Sequence, residues 1–391
     1  MSSKAINEHQ VHDFLSGLFG EELHAKRVLS LSLATLGVIH AASLSVYAIG
    51  QALGMARGKK GKHGVKQVDR MLSNPALKVW HLFKFWVPYV LAERTEIVIA
   101  LDWTDFDDDD QTTLVASLVT NHGRPTPLVW LTVQKSTLKG LRNDAEDSVI
   151  LRLRELIPKE VKVTLLADRG FADQKLYTLL EQVGFAYVVR FRKIITVTSA
   201  QGEKRCADEW VPKAGRLRQL RGARVTADGK QVGAVVCVKK KGMKEAWCLA
   251  TSLSEATGAE VVALYRRRFT IEESFRDVKD LRFGMGLSNM RIGETDRRDR
   301  LLLVSAMACA LLTLLGAAGE SLGMERYLKA NTDKTRTYSL WRQGCMYYQS
   351  LPMMPEAQLR PLSWSASHNL SASNSSSVKP SALYKMRGWL R

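Results

Sequence analysis

Cysteine is scarce in this 391-residue chain, and its spacing suggests no pairing. Cys206, Cys237, Cys248, Cys309 and Cys345 are scattered, odd in number and without a Cys-x2-Cys motif. That argues against a zinc ribbon or a disulfide framework and predicts a reducing, cytoplasmic setting. The eight histidines form no His-Glu-x2-His motif. His9 and His12 can share a helix face, but with no third ligand nearby they read as surface residues. The first residues, MSSKAINEHQVHDFLSG, lack the apolar core of an export signal, so export is not expected. No internal repeat is visible. Only one apolar run is long: residues 301–318, LLLVSAMACALLTLLGAA, carry no charge. By length it sits at the lower edge for a membrane span. It stands alone and is rich in Ala, Ser, Thr and Gly, so a buried helix, and no membrane, is expected.

Acidic residues are also in deficit. There are 39 Asp+Glu against 57 Lys+Arg, a net charge of +18. Such an excess points to a polyanion partner, most often nucleic acid. The length suits two or three structural units.

What is present divides along the chain. Residues 1–95 show helical periodicity with little strand-like alternation, and within them lies GMARGKKGKHGVKQVDR, residues 54–70. Its Arg57, Lys59, Lys60 and Lys62, set among glycines ahead of a helix, suit contacts to DNA phosphates; a solvated basic loop is the plain alternative. From residue 96 the pattern changes. Residues 97–101 (IVIAL) form a continuous apolar run, as expected of a strand buried on both faces. Strands at 112–120 and 128–134 follow, then a helix at 147–156, a strand at 163–167, a helix at 174–183 and a strand at 186–192. Three strands in meander followed by helix-strand-helix-strand predict an α/β mixed sheet flanked by helices over residues 96–192. Residues 193–252 read as a β-rich insertion. Residues 253–325 return to helix, with one strong helix at 259–281, and residues 326–391 end in a Ser-rich, flexible tail at 363–381.

The chemistry gathers at two strand ends. IVIALD ends in Asp102 and VTLLAD in Asp168. A buried carboxylate is costly unless paired or bound to a cation. Two of them at the carboxyl ends of central strands face the crevice where open α/β sheets bind ligands. Such a pair suits a hard cation such as Mg²⁺. Around the first lies LDWTDFDDDDQ, in which Asp107 to Asp110 read as a hydrated acidic turn. In ALYRRRFTIEESFRDVKD, an unbroken helix places Tyr265, Arg268, Glu272 and Lys279 within about 60° of arc, while Glu273 falls roughly 100° away. Alone, that face could be a solvated, salt-bridged surface.

Tyr265-x2-Arg268-x3-Glu272-x6-Lys279 resembles the signature of a large group of bacterial insertion-sequence DDE transposases, and the likeness spans roughly residues 20–345. The resemblance implies a ribonuclease-H-like fold with a helical N-terminal DNA-binding region. It implies that Asp102, Asp168 and Glu272 hold two Mg²⁺ (or Mn²⁺) ions for phosphodiester cleavage and strand transfer. It places Arg190 near the transferred strand and Trp247 against a base flipped from the transposon end. It also implies double-stranded DNA as partner and a homodimer in the synaptic complex. A structure-selective nuclease and a catalytically silent DNA-binding inhibitor are the rival expectations.

Overall fold

The computed structural model describes residues 6–213, 215–282 and 284–374. Five helices come first: α1 (Glu8–Phe19), α2 (Ala25–Ala41), α3 (Val46–Ala56), α4 (Gly61–Leu72) and α5 (Val79–Leu91). A capping box starts α1: the Asn7 side chain accepts from the Gln10 N–H while the Gln10 side chain accepts from that of Asn7. The basic stretch at 54–70 is mostly helix, with only residues 57–60 connecting α3 to α4. Backbone contact between the two helices explains why. A Cβ on Gly64 would stand 2.1 Å from the Gly50 carbonyl oxygen, so no larger residue fits there without moving the helices apart. Gly54 likewise lies against Gly61 across the helix pair, whereas Gly58 takes a positive φ in the turn.

The main sheet has eight strands. It contains β1 (Glu96–Phe106), β2 (Gln111–Leu118), β3 (Thr126–Gln134), β4 (Lys162–Ala167) and β5 (Ala186–Phe191), with α6 (Arg142–Leu156) before β4 and α7 (Gln174–Gln182) after it. The strand order is β3-β2-β1-β4-β5 and then three strands from residues 193–252. β1, β4 and β5 are mutually parallel, and β2 and β3 return antiparallel as a meander. Helix α6 starts at Arg142 rather than at 147, because its polar first turn carries no apolar periodicity.

Residues 193–252 are strand-rich but do not stand apart. They supply β6 (Thr196–Thr198), β7 (Lys204–Cys206), β8 (Leu217–Arg221), β9 (Arg224–Val225), β10 (Lys230–Gln231), β11 (Ala234–Val238) and β12 (Trp247–Thr251). β12, β11 and β8 add to the open edge at β5, while the other four form a small second sheet. Pairing β12 on β5 satisfies that strand's free backbone groups and brings Trp247 to the central sheet.

The helix predicted at 259–281 is broken. α8 (Gly258–Arg266) passes into a 3-10 turn, Arg267–Phe269, and then α9 (Thr270–Lys279). α10 (Thr295–Ser321), α11 (Leu340–Ser350) and α12 (Glu356–Asn374) follow. Among the described residues α10 is the one single helix long and apolar enough to cross a membrane; its most apolar window has mean hydropathy 2.3 and is 72% buried. It packs on β3, α2 and α11, the last so closely that a Cβ on Gly344 would stand 1.8 Å from the Leu312 carbonyl oxygen. The predicted flexible tail is corrected in part: residues 363–374 continue α12, and residues 375–381 lie outside the described residues.

Helices cover both sheet faces. Leu165, Ala167 and Val189 point into the large core with α5, α6 and α10, whereas Leu166, Val188 and Leu249 pack under Tyr265 of α8. On β1, Ile99 and Leu101 join the large core, while Ala100 meets Ile271 of α9. This period-two alternation puts the next residue of the Ala100 series, Asp102, on the α9 side.

Candidate active site

Asp102 does not end its strand, as the sequence suggested. β1 continues to Phe106 because β2 stays paired with it, from Asp102↔Val115 to Phe106↔Gln111. The parallel pairing with β4, however, stops at Leu101↔Ala167. Asp102 and Asp168 are therefore the next residues in register, just past the point where the two central strands part. Asp168 Oδ1 accepts the Gly170 N–H at 2.7 Å, and Asp102 Oδ1 accepts the Trp103 N–H at 3.0 Å.

Arg268 ties the strand to the helix. Its Nη1 donates to Asp102 Oδ2 and its Nη2 to Glu272 Oε1, both at 2.8 Å. The guanidinium is buried and lies over the Phe269 ring at 4.9 Å. Burial pushes the Asp102 carboxyl up to about 6, and the negative charge of Asp168 adds to the rise while Arg268 opposes it. Burial likewise pushes the Tyr265 phenol up to about 12. Burial works against the charged form of Arg268 too, but Tyr265, Asp102 and Glu272 outweigh it and raise its pKa.

The helix break does not scatter the four residues of the Tyr-Arg-Glu-Lys series. Tyr265 closes the core beneath the site, Arg268 sits in the 3-10 turn and Glu272 in the first turn of α9. Lys279, at the end of α9, reaches β1 two to three residues beyond Asp102, where Nζ donates to the Asp105 carbonyl at 2.6 Å and to Thr104 Oγ1 at 3.2 Å. Burial lowers its pKa. Glu273 turns away to Arg276, 3.2 Å distant.

Arg190 and Trp247 border the same place. Arg190, opposite Leu249 in the β5–β12 pair, donates to Glu245 Oε2 at 2.8 Å. Trp247 stacks on Phe269 at 5.6 Å between centroids and meets Tyr265 edge-on at 5.1 Å. It is half-buried, its ring packed on Phe269 and Tyr265. Lys59, Lys60 and Lys62 stand exposed at the α3–α4 turn, and Arg57 pairs with Glu8 at 3.3 Å.

The remaining aspartates of LDWTDFDDDDQ are not a hydrated turn throughout. Asp109 is 7% exposed and pairs with Arg298, itself fully buried, which lies 3.8 Å from the Phe106 ring centroid. Lys135 pairs with Asp105 and Asp107, and Asp110 Oδ1 accepts the Ser136 N–H at 3.1 Å. Asp108 keeps its exposure, with Arg291 beside it. The cluster clamps α10 and the β3 end to β1, a role invisible locally because Arg298 lies 189 positions further along the chain.

Sequence reasoning also passed over Arg142 and Glu146. Glu146 is buried and accepts from Trp103 Nε1 and Arg142 Nε. A tryptophan beside Asp102 needing a partner for its N–H was the available signal.

The carboxylate oxygens of Asp102, Asp168 and Glu272 are hard donors of the kind a divalent cation takes, and Asp102 and Glu272 already hold a positive group between them. That group is Arg268, which stands in for a cation between Asp102 and Glu272. Among the described residues no three His, Cys, Asp or Glu side chains stand close enough to share one ion. An apolar cavity of about 610 Å³, lined by Trp86, Phe106, Phe275 and Leu302, reaches Thr104 and Lys279 but includes none of the three carboxylates. It belongs to the core behind the site.

Residues 136–311 match the family model of the transposase DDE domain. The match takes in Asp168 and the whole Tyr265–Lys279 series, begins after Asp102, and spans less than half of the chain. It supports a DDE transposase family, and hence an enzyme acting on DNA. No curated protein matches the chain.

Proposed function

We propose that the protein is a cut-and-paste DNA transposase of the bacterial insertion-sequence kind, on a ribonuclease-H-like sheet, working in the cytoplasm. One observation carries the proposal: the buried Arg268 bonds both Asp102 of the central strand and Glu272 of α9, and Asp168 follows the parallel strand beside Asp102 at the same end of the sheet. Asp102, Asp168 and Glu272 would hold Mg²⁺ or Mn²⁺, which when bound supplies Lewis-acid stabilisation for in-line displacement at phosphorus.

The chain's own groups then have distinct tasks. Arg268 carries positive charge between two carboxylates, and a guanidinium there can also take phosphate oxygens. Lys279, anchored on the Asp105 carbonyl, offers a point charge further along β1. Tyr265 fixes the helix against the sheet. Arg190 and Trp247 border the strand path, where an aromatic face can stack on an extruded base. Lys59, Lys60 and Lys62, with Arg57, would hold phosphates of the element's end. Two copies of the chain would pair two ends. Each 3′-hydroxyl freed by hydrolysis would attack the opposite strand to close a hairpin, and water would reopen the hairpin and restore the 3′-hydroxyl. That hydroxyl would then displace a target-strand oxygen to join target DNA.

The test uses linear DNA carrying the sequences that flank the gene, with Mg²⁺ or Mn²⁺. Hairpin-ended fragments and products joined to a target plasmid are expected, and neither should form with Asp102→Asn. Cleavage with no joined product from a pre-cut end would make the protein a nuclease. Binding with no cleavage at all would make it a silent DNA-binding protein.

A further inference from the structure

Helix α6 opens on an arginine and carries, one turn later, a carboxylate that is only 5% exposed. Ion pairs at this spacing usually lie on a helix's solvated face. Here the carboxylate is inside, and it is shared. Trp103 Nε1 donates to Glu146 Oε1 at 2.8 Å, and Arg142 Nε donates to the same oxygen at 3.0 Å. Trp103 follows Asp102 on β1 and gives its backbone N–H to the Asp102 carboxylate. Arg142 Cζ lies 5.2 Å from the Trp103 ring and 5.9 Å from that of Phe171. A flexible side chain is thus held on three sides.

The Glu146 bond uses Nε, the near edge of the guanidinium. The far edge points to the candidate site. A Cβ built on Gly170 would stand 3.6 Å from Arg142 Nη2 and 3.0 Å from Asp168 Oδ1, so one point beside Asp168 adjoins both groups. Glycine keeps that point open. The Arg142 side chain is 45% exposed, so solvent, or a ligand, reaches it.

We propose that Arg142 binds a phosphate of the DNA strand held at Asp102 and Asp168, and that Glu146 and Trp103 are positioning residues that aim its guanidinium. The inference rests on the transposase reading above. A planar guanidinium with its near edge anchored keeps two donors for a phosphate and loses little freedom on binding it. Because Glu146 bonds the residue next to Asp102, the arginine is set in register with the carboxylates themselves.

The test is single-turnover cutting of a labelled duplex that carries the DNA flanking the gene, with Mn²⁺, scanned with methylphosphonates one phosphate at a time. In the wild type, neutralising one phosphate near the cut should slow cleavage about 10- to 100-fold. Arg142→Ala should lose a similar factor on ordinary DNA and become insensitive to methylphosphonate at that one position. Arg142→Lys should fall between, and Glu146→Gln should weaken the effect while leaving the same phosphate sensitive. Arg142→Ala leaves the buried Glu146 carboxylate with the Trp103 N–H as its remaining bond, so folding is checked by circular dichroism, and Arg142→Lys serves the same comparison if Arg142→Ala does not fold. Full-rate cutting by a folded Arg142→Ala, or an unchanged methylphosphonate pattern, overturns the phosphate contact. A folded wild type that cuts no DNA overturns the transposase reading, and this inference with it.

Discussion

Asp102 accepts a 2.8 Å hydrogen bond from Arg268 although 166 positions of chain separate them. The bond joins the central strand of the sheet to the turn between α8 and α9, and it neutralises one of two adjacent carboxylates. With Asp168 next in register, the pair holds more negative charge than one guanidinium shared with Glu272 offsets. A place built this way gains from a bound cation and loses little when one carboxylate is made neutral.

Asp102→Asn should therefore separate stability from activity. DNA cutting is expected to fall by on the order of 10⁴-fold or more, as when a member of a cooperating catalytic set is removed. Without divalent cation the variant should melt no lower than the wild type, since the like-charge contact with Asp168 is gone. Mn²⁺ should raise the Tm of the wild type and leave that of the variant nearly unchanged. A variant that melts many degrees lower in metal-free buffer would show that Asp102 is a structural partner of Arg268 and no more.

The basic turn between α3 and α4 gives a second test. Lys59, Lys60 and Lys62 are exposed there and bear no fold-supporting role that their surroundings require. Each phosphate contact contributes about 0.9 to the slope of log affinity against log salt. The triple alanine variant should bind end-bearing duplex more weakly and lower that slope by roughly 2 to 3 units. Equal slopes for wild type and variant, measured by fluorescence anisotropy over a salt series, would falsify a DNA role for this turn.

Much of this arrangement was legible in the residues, for physical reasons that also mark the limit. Residues 97–101 and 163–167 read as buried strands because parallel strands covered on both faces are continuously apolar. The aspartate after each run then stood out as a charge where none is cheap. Helical spacing linked Tyr265, Arg268, Glu272 and Lys279, and although a 3-10 turn interrupts the helix, Arg268 in that turn still bonds Glu272 four positions on. What stayed hidden are pairs whose partners lie far apart in the chain. Asp109 looked like a solvated turn residue until Arg298 closed over it, and nothing near Glu146 in the chain announces its partner Trp103, 43 positions away. Local periodicity holds no record of such partners.

Arg298 is the sharpest consequence of that hidden pairing. It is fully buried between Phe106, Gln111 and Asp109. Removing one partner of a buried ion pair leaves the other charge without compensation, at a cost of about 3–5 kcal/mol. Arg298→Met should lose that much unfolding free energy in urea. Adding Asp109→Asn should recover part of the loss, and the double-mutant cycle should give a coupling well above that of an exposed pair. Additive losses would mean the two residues act independently.

His122 supplies the pH test. It lies 8% exposed in the turn between β2 and β3, its Nδ1 buried without a hydrogen-bond partner among the described residues. Burial, helped by the positive charges of Arg336 and Arg94, lowers its pKa to about 4. In the unfolded chain an imidazole titrates near 6.5. A pKa depressed by folding means that the unfolded state takes up the proton first. The stabilisation is complete above about 6.5 and is lost as the pH falls toward 4, amounting to about 3 kcal/mol over that window. His122→Leu removes the titrating group and keeps the apolar contacts. The unfolding free energy of His122→Leu relative to the wild type should therefore rise as the pH is lowered from 7 to 4. Equal pH slopes for the two proteins in that range would mean that the imidazole is protonated, and has a partner, in the folded state.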